Sequence, residues 1–151
     1  MRVLGITPGL HGGVALLSDD GLLAEAMPLL KVDGKDHLDI GGLQGLITAW
    51  EPEVAIVERA PVMPKQGRSA AYSAGLHQGV LKGLLAGLWI PCLEVLPQQW
   101  KRSLQVSGEP DAVRMRATEL FPSSATLWPR KKDLGVAEAS LIAFYGCQEA
   151  L

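Results

Sequence analysis

The chain has 151 residues, of which 48% are hydrophobic and 20% are charged, and its formal net charge is −2. These values are ordinary for a globular protein, and we expect one domain over 1–151. Cys92 and Cys147 form no CxxC pair, which argues against a disulfide scaffold or a zinc site. We expect neither a signal peptide nor a membrane span, and a reduced cytoplasmic setting.

The first part of the chain predicts three short strands, "RVLGIT", "GGVALLS" and "LLAEAMPLL". The segments between them, "TPGLHGG" and "DDG", are rich in residues that tolerate positive φ and predict tight turns. Strands this close in sequence are expected to form an antiparallel meander.

The remaining elements alternate between helix and strand. We predict a helix over 38–50, a buried strand "EVAIVE", a long helix over about 68–88, a strand "CLEVL", and helices over about 111–120 and 134–148. The order βββ-α-β-α-β-α-α indicates an α/β fold, a mixed sheet with helices on both sides.

The long helix carries a glycine at every fourth residue. Each glycine costs about 1 kcal/mol relative to alanine inside a helix, so something large is expected to approach this face. Two explanations are open, close packing on the sheet and a helix–helix contact across a dimer axis. The glycines are Gly75, Gly79, Gly83 and Gly87.

Charge is distributed unevenly along the chain. Residues 1–57 carry eight acids and three bases, whereas residues 58–151 carry eight acids and eleven bases. The basic residues of the second part form either solvated faces or a surface that follows a phosphate backbone. They cluster at Lys65/Arg68, Lys101/Arg102, Arg114/Arg116 and Arg130–Lys132.

Acidic residues occur where catalytic groups are often found. Glu58 ends a buried strand, where a carboxylate is costly unless it is paired, hydrogen-bonded or metal-bound. If the first strand lies parallel beside it, Thr7 ends at the same edge. Glu138 interrupts an apolar run and is either a site residue or solvent-facing, and Asp133 is either a site residue or a helix N-cap.

Four segments in this order resemble the RuvC-type Holliday junction resolvases, most closely their phage and prophage branch: "LGITPG…GGVAL", "VAIVERAPVMPKQGRSAAYSAG", "VLPQQWKRSL" and "KKDLGVAEASLIAFYG". The resemblance implies a ribonuclease H-like, mixed five-stranded sheet flanked by helices. It also implies a homodimeric endodeoxyribonuclease that cleaves four-way DNA junctions with two Mg²⁺ or Mn²⁺ ions, which activate water and neutralise the leaving oxygen.

By resemblance, the metal ligands are Glu58, Asp133 and Glu138, and Lys101 lies near the scissile phosphate. Thr7 is the departure, because the family has an aspartate there that bridges both metals. A neutral hydroxyl is a weak Mg²⁺ ligand, so we expect impaired cleavage. An introduced substitution and a natural replacement both fit this pattern.

The expected partner is a four-way junction or other branched DNA, with no membrane and no small-molecule cofactor. Met63 or Tyr72 is the candidate for the aromatic wedge of the family, and His11, His37 and His77 are interpreted as structural or surface residues. The resemblance places the protein in a bacterial cytoplasm. The expected DNA-binding residues are Lys65, Arg68, Lys101, Arg102, Arg130, Lys131 and Lys132.

Two other functions are open. The first is a non-catalytic junction-binding protein that has kept the fold without the aspartate at position 7. Metal-dependent nicking of a synthetic four-way junction distinguishes an active enzyme from this alternative. An actin-like nucleotide-binding protein also begins with a strand–turn–strand hairpin. Such a protein closes a second domain over ATP, and a length of 151 residues counts against this function.

Overall fold

The computed structural model describes residues 1–60 and 63–150; Pro61 and Val62, inside one of the segments quoted above, lie outside the described residues. Seven strands and five α-helices are formed by this part of the chain. The strands are β1 (Val3–Thr7), β2 (Gly13–Ser18), β3 (Gly21–Ala26), β4 (Leu29–Val32), β5 (Lys35–Leu38), β6 (Val54–Glu58) and β7 (Cys92–Val95). The helices are α1 (Ile40–Trp50), α2 (Arg68–Gly87), α3 (Pro97–Ser103), α4 (Pro110–Leu120) and α5 (Leu134–Tyr145).

Five strands form one sheet in the order β3-β2-β1-β6-β7. The pairs β1–β2 and β2–β3 are antiparallel, whereas β1–β6 and β6–β7 are parallel. The predicted mixed sheet, with its antiparallel meander, is therefore confirmed. Ile6 pairs with Val57 in the parallel register, so the next residues, Thr7 and Glu58, end neighbouring strands at the same edge.

The alternation of side chains along β1 and β6 decides which face each residue occupies. Val3 and Ile56 belong to the core on the α5 side, whereas Leu4 and Ala55 belong to the core on the side of α1 and α2. Thr7 has the parity of Val3, and Glu58 has the parity of Ile56. Both side chains are therefore assigned to the α5 face of the sheet.

The third predicted strand was wrong in its extent. β3 ends at Ala26, and the residues after Pro28 form a separate two-stranded sheet, β4–β5. Asp33 and Gly34 have φ angles of 52° and 75°, and this Asp-Gly pair makes the tight turn of the hairpin. The apolar run on both sides of Pro28 concealed the break between the two strands.

Other predicted bounds also need correction. The predicted order lacked α3, a seven-residue helix that is too short to show helical periodicity. The helix predicted over 38–50 begins at Ile40, because the Asp39 side chain accepts a hydrogen bond from the Gly42 N–H (2.9 Å) and caps it. The last helix ends at Tyr145 and is followed by a π-helical turn, Gly146–Ala150.

Glycines allow α5 to lie directly on the sheet. A Cβ atom on Gly5 of β1 would collide with backbone atoms of Ala139 and Ala143, and one on Gly13 would lie 2.5 Å from the Gly135 carbonyl oxygen. Real Cβ atoms are not found this close to backbone. α5 is therefore held against the middle of β1 and the start of β2, through residues of its first, second and third turns.

The two faces of α2 differ. Leu81 and Leu85 are fully buried against the sheet, whereas a Cβ on any of the four periodic glycines would have no neighbour within 4 Å among the described atoms. Close packing on the sheet is therefore the wrong explanation for these glycines.

α2 is the longest helix, but neither it nor any other described helix is long and apolar enough to span a bilayer.

The sheet has β3 and β7 as its outer strands. Glu94 of β7 forms an ion pair with Lys82 of α2 (2.6 Å between Nζ and Oε1). Glu25 is an exposed residue of β3. Cys92 and Cys147 are both free thiols.

Candidate active site

Glu58 is a buried carboxylate at the end of β6, with 8% of its surface exposed. Its Oε2 atom accepts a hydrogen bond from the indole N–H of Trp100 in α3 (2.6 Å). Burial raises the pKa of Glu58, and the Trp100 hydrogen bond and the charge of Lys101 act against this rise. The carboxylate therefore depends on α3 for its stabilising contacts.

Glu138 lies in the second turn of α5, which the glycine contacts hold over the end of β1. Burial and the negative charge of Glu58 raise the pKa of Glu138 to about 7, and the charge of Lys101 lowers it. Two carboxylates and one ammonium group are thus close enough to influence one another. The Lys101 ammonium also lies 5.3 Å from the centre of the Trp100 ring.

Thr7 ends β1, beside the strand that Glu58 ends, and is 8% exposed. Its hydroxyl oxygen is buried and has no hydrogen-bond partner among the described residues. Thr7 and Glu138 line the same cleft, which has a volume of about 510 Å³. A neutral side chain therefore occupies the position beside the two glutamates.

Asp133 precedes α5 but is held elsewhere. Its carboxylate accepts hydrogen bonds from the backbone N–H, Nε and Nη2 of Arg130, at 3.0, 3.1 and 3.0 Å. These contacts lower the pKa of Asp133, and its side chain makes no N-cap hydrogen bond to α5. The structure does not bring Asp133 together with Glu58 and Glu138.

The donor set can be compared with the two-cation centre that the resemblance implies. Within 1–60 and 63–150, no three His, Cys, Asp or Glu side chains are grouped so that they could hold a metal ion. The site holds two glutamates and the Thr7 hydroxyl, which is one carboxylate fewer than a site with aspartate at position 7 would have. Asp133 does not make up the difference, because it is paired with Arg130. These residues do not fit two bridged cations.

Two cavities lie on either side of the turn formed by Pro8 and Gly9. The larger is the 510 Å³ cleft described above, where the turn meets Thr7, Glu138, Lys131 and Lys132. The smaller has a volume of about 230 Å³ and is lined by the same turn together with Glu58 and the α2 residues Ala74, His77 and Gln78. Pro8 and Gly9 therefore line both cavities, one of which contains Glu138 and the other Glu58.

The predicted DNA-binding residues are not equivalent in the structure. Lys131 and Lys132 are exposed and line the larger cleft, whereas Arg130 is paired with Asp133. Lys101 is half-buried beside the glutamates. Lys65, Arg68 and Arg102 are exposed, as are both wedge candidates, Met63 and Tyr72.

Sequence reasoning missed three residues at this site. Trp100 was assigned no role from the sequence; it is fully buried, and its indole N–H finds the acceptor that a buried indole needs in Glu58. Gln78 was overlooked, and His77 was interpreted as structural or surface although it lines the Glu58 cavity. His37 is exposed, and His11 is exposed but lines the larger cleft together with Thr7 and Glu138.

Comparison with known sequences gives relatives of one kind, although no family model matches the chain. The crossover junction endodeoxyribonuclease RuvC of Parasynechococcus marenigrum is 29% identical over 157 residues, which is 97% of both chains. RuvC of Synechococcus sp. WH7803 is 28% identical over 97% of both. The chloroplastic Holliday junction resolvase MOC1 of Chlamydomonas reinhardtii is 35% identical over 89 residues, and the match spans 10% of that protein.

Solved structures have the same architecture. T. thermophilus RuvC in complex with a Holliday junction substrate has a TM-score of 0.70 at 18% identity, over 99% of this chain and 94% of that one. The yeast mitochondrial Holliday junction resolvase Ydc2 has a TM-score of 0.54 over 94% of this chain and 77% of its own. The chain is therefore related over nearly its whole length to the RuvC-type Holliday junction resolvases, and it has the fold of their solved structures.

Proposed function

We propose that this chain is a crossover junction endodeoxyribonuclease, a single RuvC-like domain that binds four-way DNA junctions as a homodimer and whose cleavage is weakened by Thr7. The observation that carries this proposal is that Thr7 and Glu58 end neighbouring parallel strands while Glu138 lines the cleft beside Thr7. This arrangement occurs in a chain that matches RuvC proteins over 97% of their length. The bacterial relatives and the free thiols favour action in a bacterial cytoplasm.

The residues have separate parts in this function. Lys131 and Lys132 attract the phosphate backbone to the larger cleft. Binding there is favoured because the two lysines release counterions that are condensed on the DNA. Lys101 lies with the two glutamates and is placed to neutralise charge on a phosphate that enters. Trp100 holds one oxygen of Glu58 and so fixes the orientation of that carboxylate.

A second copy of the chain supplies the second site needed to cut two opposed strands. The exposed face of α2 supports this dimer. Tyr72 is 71% exposed and Leu76 is 48% exposed, and Gly79 and Gly83 follow them at helical spacing with open space outside. A second helix can approach such a face closely, because the glycines have no side chains.

Restoring the missing carboxylate tests the proposed centre. We expect Thr7→Asp to raise Mg²⁺- or Mn²⁺-dependent cleavage of a synthetic four-way junction by about 10²–10³, since one electrostatic group in an active site is typically worth that factor. Junction binding without metal is expected to stay the same or to fall slightly, because the new charge repels phosphate.

Glu58→Gln in the Thr7→Asp background is the control, and it is expected to abolish the gain. If Thr7→Asp leaves cleavage unaltered while Glu58→Gln has no further effect, Thr7 does not occupy a metal-binding position. The assignment of the active centre would then be wrong.

One observation favours a second function. In the part of the chain that the structure describes, three metal-binding side chains do not come together, which suits a non-catalytic junction-binding protein. Such a protein binds four-way junctions more tightly than linear duplex but makes no metal-dependent nick in them. An unmodified chain that nicks a junction in Mg²⁺ or Mn²⁺, and loses this activity with Glu58→Gln, excludes the non-catalytic alternative.

A further inference from the structure

Gln78 is a polar residue on the buried face of α2. It shares this face with Leu81 and Leu85, which follow it by three and seven residues and are fully buried against the sheet. The face leads toward the end of β6, where Glu58 lies. The amide of Gln78 therefore lies on the otherwise apolar face of α2 and lines the smaller cavity.

The amide nitrogen of Gln78 is buried, and none of the described residues accepts a hydrogen bond from it. Its side chain lines the 230 Å³ cavity together with Glu58 and the turn of Pro8 and Gly9. The amide makes no hydrogen bond to Glu58, whose Oε2 accepts from the Trp100 indole. Buried donors are almost always paired, so the Gln78 amide is available to an acceptor that enters the cavity.

We propose that Gln78 donates a hydrogen bond to a phosphate oxygen of the junction strand that enters the Glu58 cavity. This inference rests on the proposed function, which brings phosphates to this edge. The acceptor fits the surroundings, since Lys131 and Lys132 attract the same backbone on the other side of the shared turn. A phosphate oxygen is a strong acceptor for an amide.

The amide has an advantage over a basic residue at this position. A lysine or arginine at position 78 would add a second positive charge beside Glu58, next to that of Lys101. A neutral amide can contact the phosphate and leave the charge of Glu58 intact. Gln78 is therefore a substrate-contacting residue that does not compete for the acid.

Gln78→Met tests this contact, because methionine keeps the approximate shape of the side chain and removes the donor. We expect junction affinity to fall about tenfold, the value of one hydrogen bond to a charged group. The slope of log affinity against log salt is expected to be unchanged, since a neutral donor releases no counterion. Lys132→Glu, in contrast, should lower that slope.

A structural role for Gln78 predicts a different result in the free protein. Removing a buried, unpaired donor should leave the melting temperature unchanged or raise it, whereas removing a structural hydrogen bond should lower it. Gln44→Met is the matched control, because Gln44 is an exposed glutamine of α1. It is expected to change neither the affinity nor the melting temperature.

The proposal is overturned if Gln78→Met binds junctions as tightly as Gln44→Met, or if Gln78→Met lowers the melting temperature while Gln44→Met does not. A different outcome refutes the proposed function itself. If the unmodified chain binds junction and linear duplex equally at physiological salt, junction recognition is excluded and the Gln78 contact is excluded with it.

Discussion

The helices α5 and α2 both depend on glycine, but they use it in opposite ways. Gly5 and Gly13 lie on the sheet and let the backbone of α5 approach so closely that no side chain fits between. Gly79 and Gly83 lie on α2 itself and face open space. The same residue type therefore closes a contact inside the fold in one region and leaves a surface free in the other.

This difference separates the two parts of the proposed function. The contact between α5 and β1 fixes Glu138 above the strand end that carries Thr7, so it serves the active site. The open face of α2 has no partner among the described residues. Each glycine destabilises the helix by about 1 kcal/mol relative to alanine, and no contact within one chain offsets this loss. Substitutions at the two sets of glycines should have opposite effects on stability.

The largest effect is expected for Gly5→Ala. The added Cβ would collide with the backbone of Ala139 and Ala143, so α5 has to move away from the sheet. We expect a loss of about 3 kcal/mol or more in the free energy of unfolding, at or above the upper end of the range for overpacked cores. Urea unfolding followed by circular dichroism measures this loss, and a variant as stable as the parent would refute the close contact.

A smaller effect concerns the charge that α5 brings to the site. Glu138 keeps its proton up to about pH 7 in the folded chain, whereas its ordinary pKa is 4.5. The folded state therefore binds more protons between these values, and its stability should fall as the pH rises from about 4.5 to about 7. The loss should reach up to about 3 kcal/mol, at 1.36 kcal/mol per pKa unit.

Glu138→Gln should remove most of this pH dependence and stabilise the chain above pH 7. Urea unfolding at pH 4.5, 6 and 8, with a chelator present, makes the comparison. Part of the dependence should remain, because burial raises the pKa of Glu58 in the same direction. Parallel stability curves for the variant and the parent would show that Glu138 does not titrate in this environment.

The smallest effect on the single chain is expected on α2. Gly79→Ala and Gly83→Ala should each stabilise the monomer by about 1 kcal/mol, because alanine is the better helix former and nothing lies within 4 Å of the new methyl groups. The same methyl groups should weaken the proposed dimer. Sedimentation equilibrium measures the dimer dissociation constant, and a constant equal to that of the parent would place the dimer interface elsewhere.

Much of the candidate active site at the edge of the sheet could be predicted from the sequence. Thr7 and Glu58 end apolar strands, and they were expected at one edge if those strands paired in parallel, as β1 and β6 do. Glu138 was recognisable as a charge within an apolar helix. These predictions depend on local periodicity, which is read directly from neighbouring residues.

Other features depend on contacts between distant segments. The pairing of Asp133 with Arg130 was not foreseen, because either an N-cap or a ligand role fits the same short segment. The β4–β5 hairpin was hidden because the strand before it continues the same apolar run. Gln78 had a usable signal, its spacing from Leu81 and Leu85, but the spacing acquires meaning only when the cavity beside Glu58 is known.

The two outer strands of the sheet have a consequence for aggregation. Open strand edges can add further chains, and charged residues within an edge strand oppose this addition. β3 carries the exposed Glu25, and the short β7 carries Glu94, which is paired with Lys82 of α2, so a copy that approaches either edge meets charged side chains. Edge-to-edge polymerisation is therefore disfavoured, and the chain can expose apolar residues on α2 for specific pairing without forming fibres along its sheet.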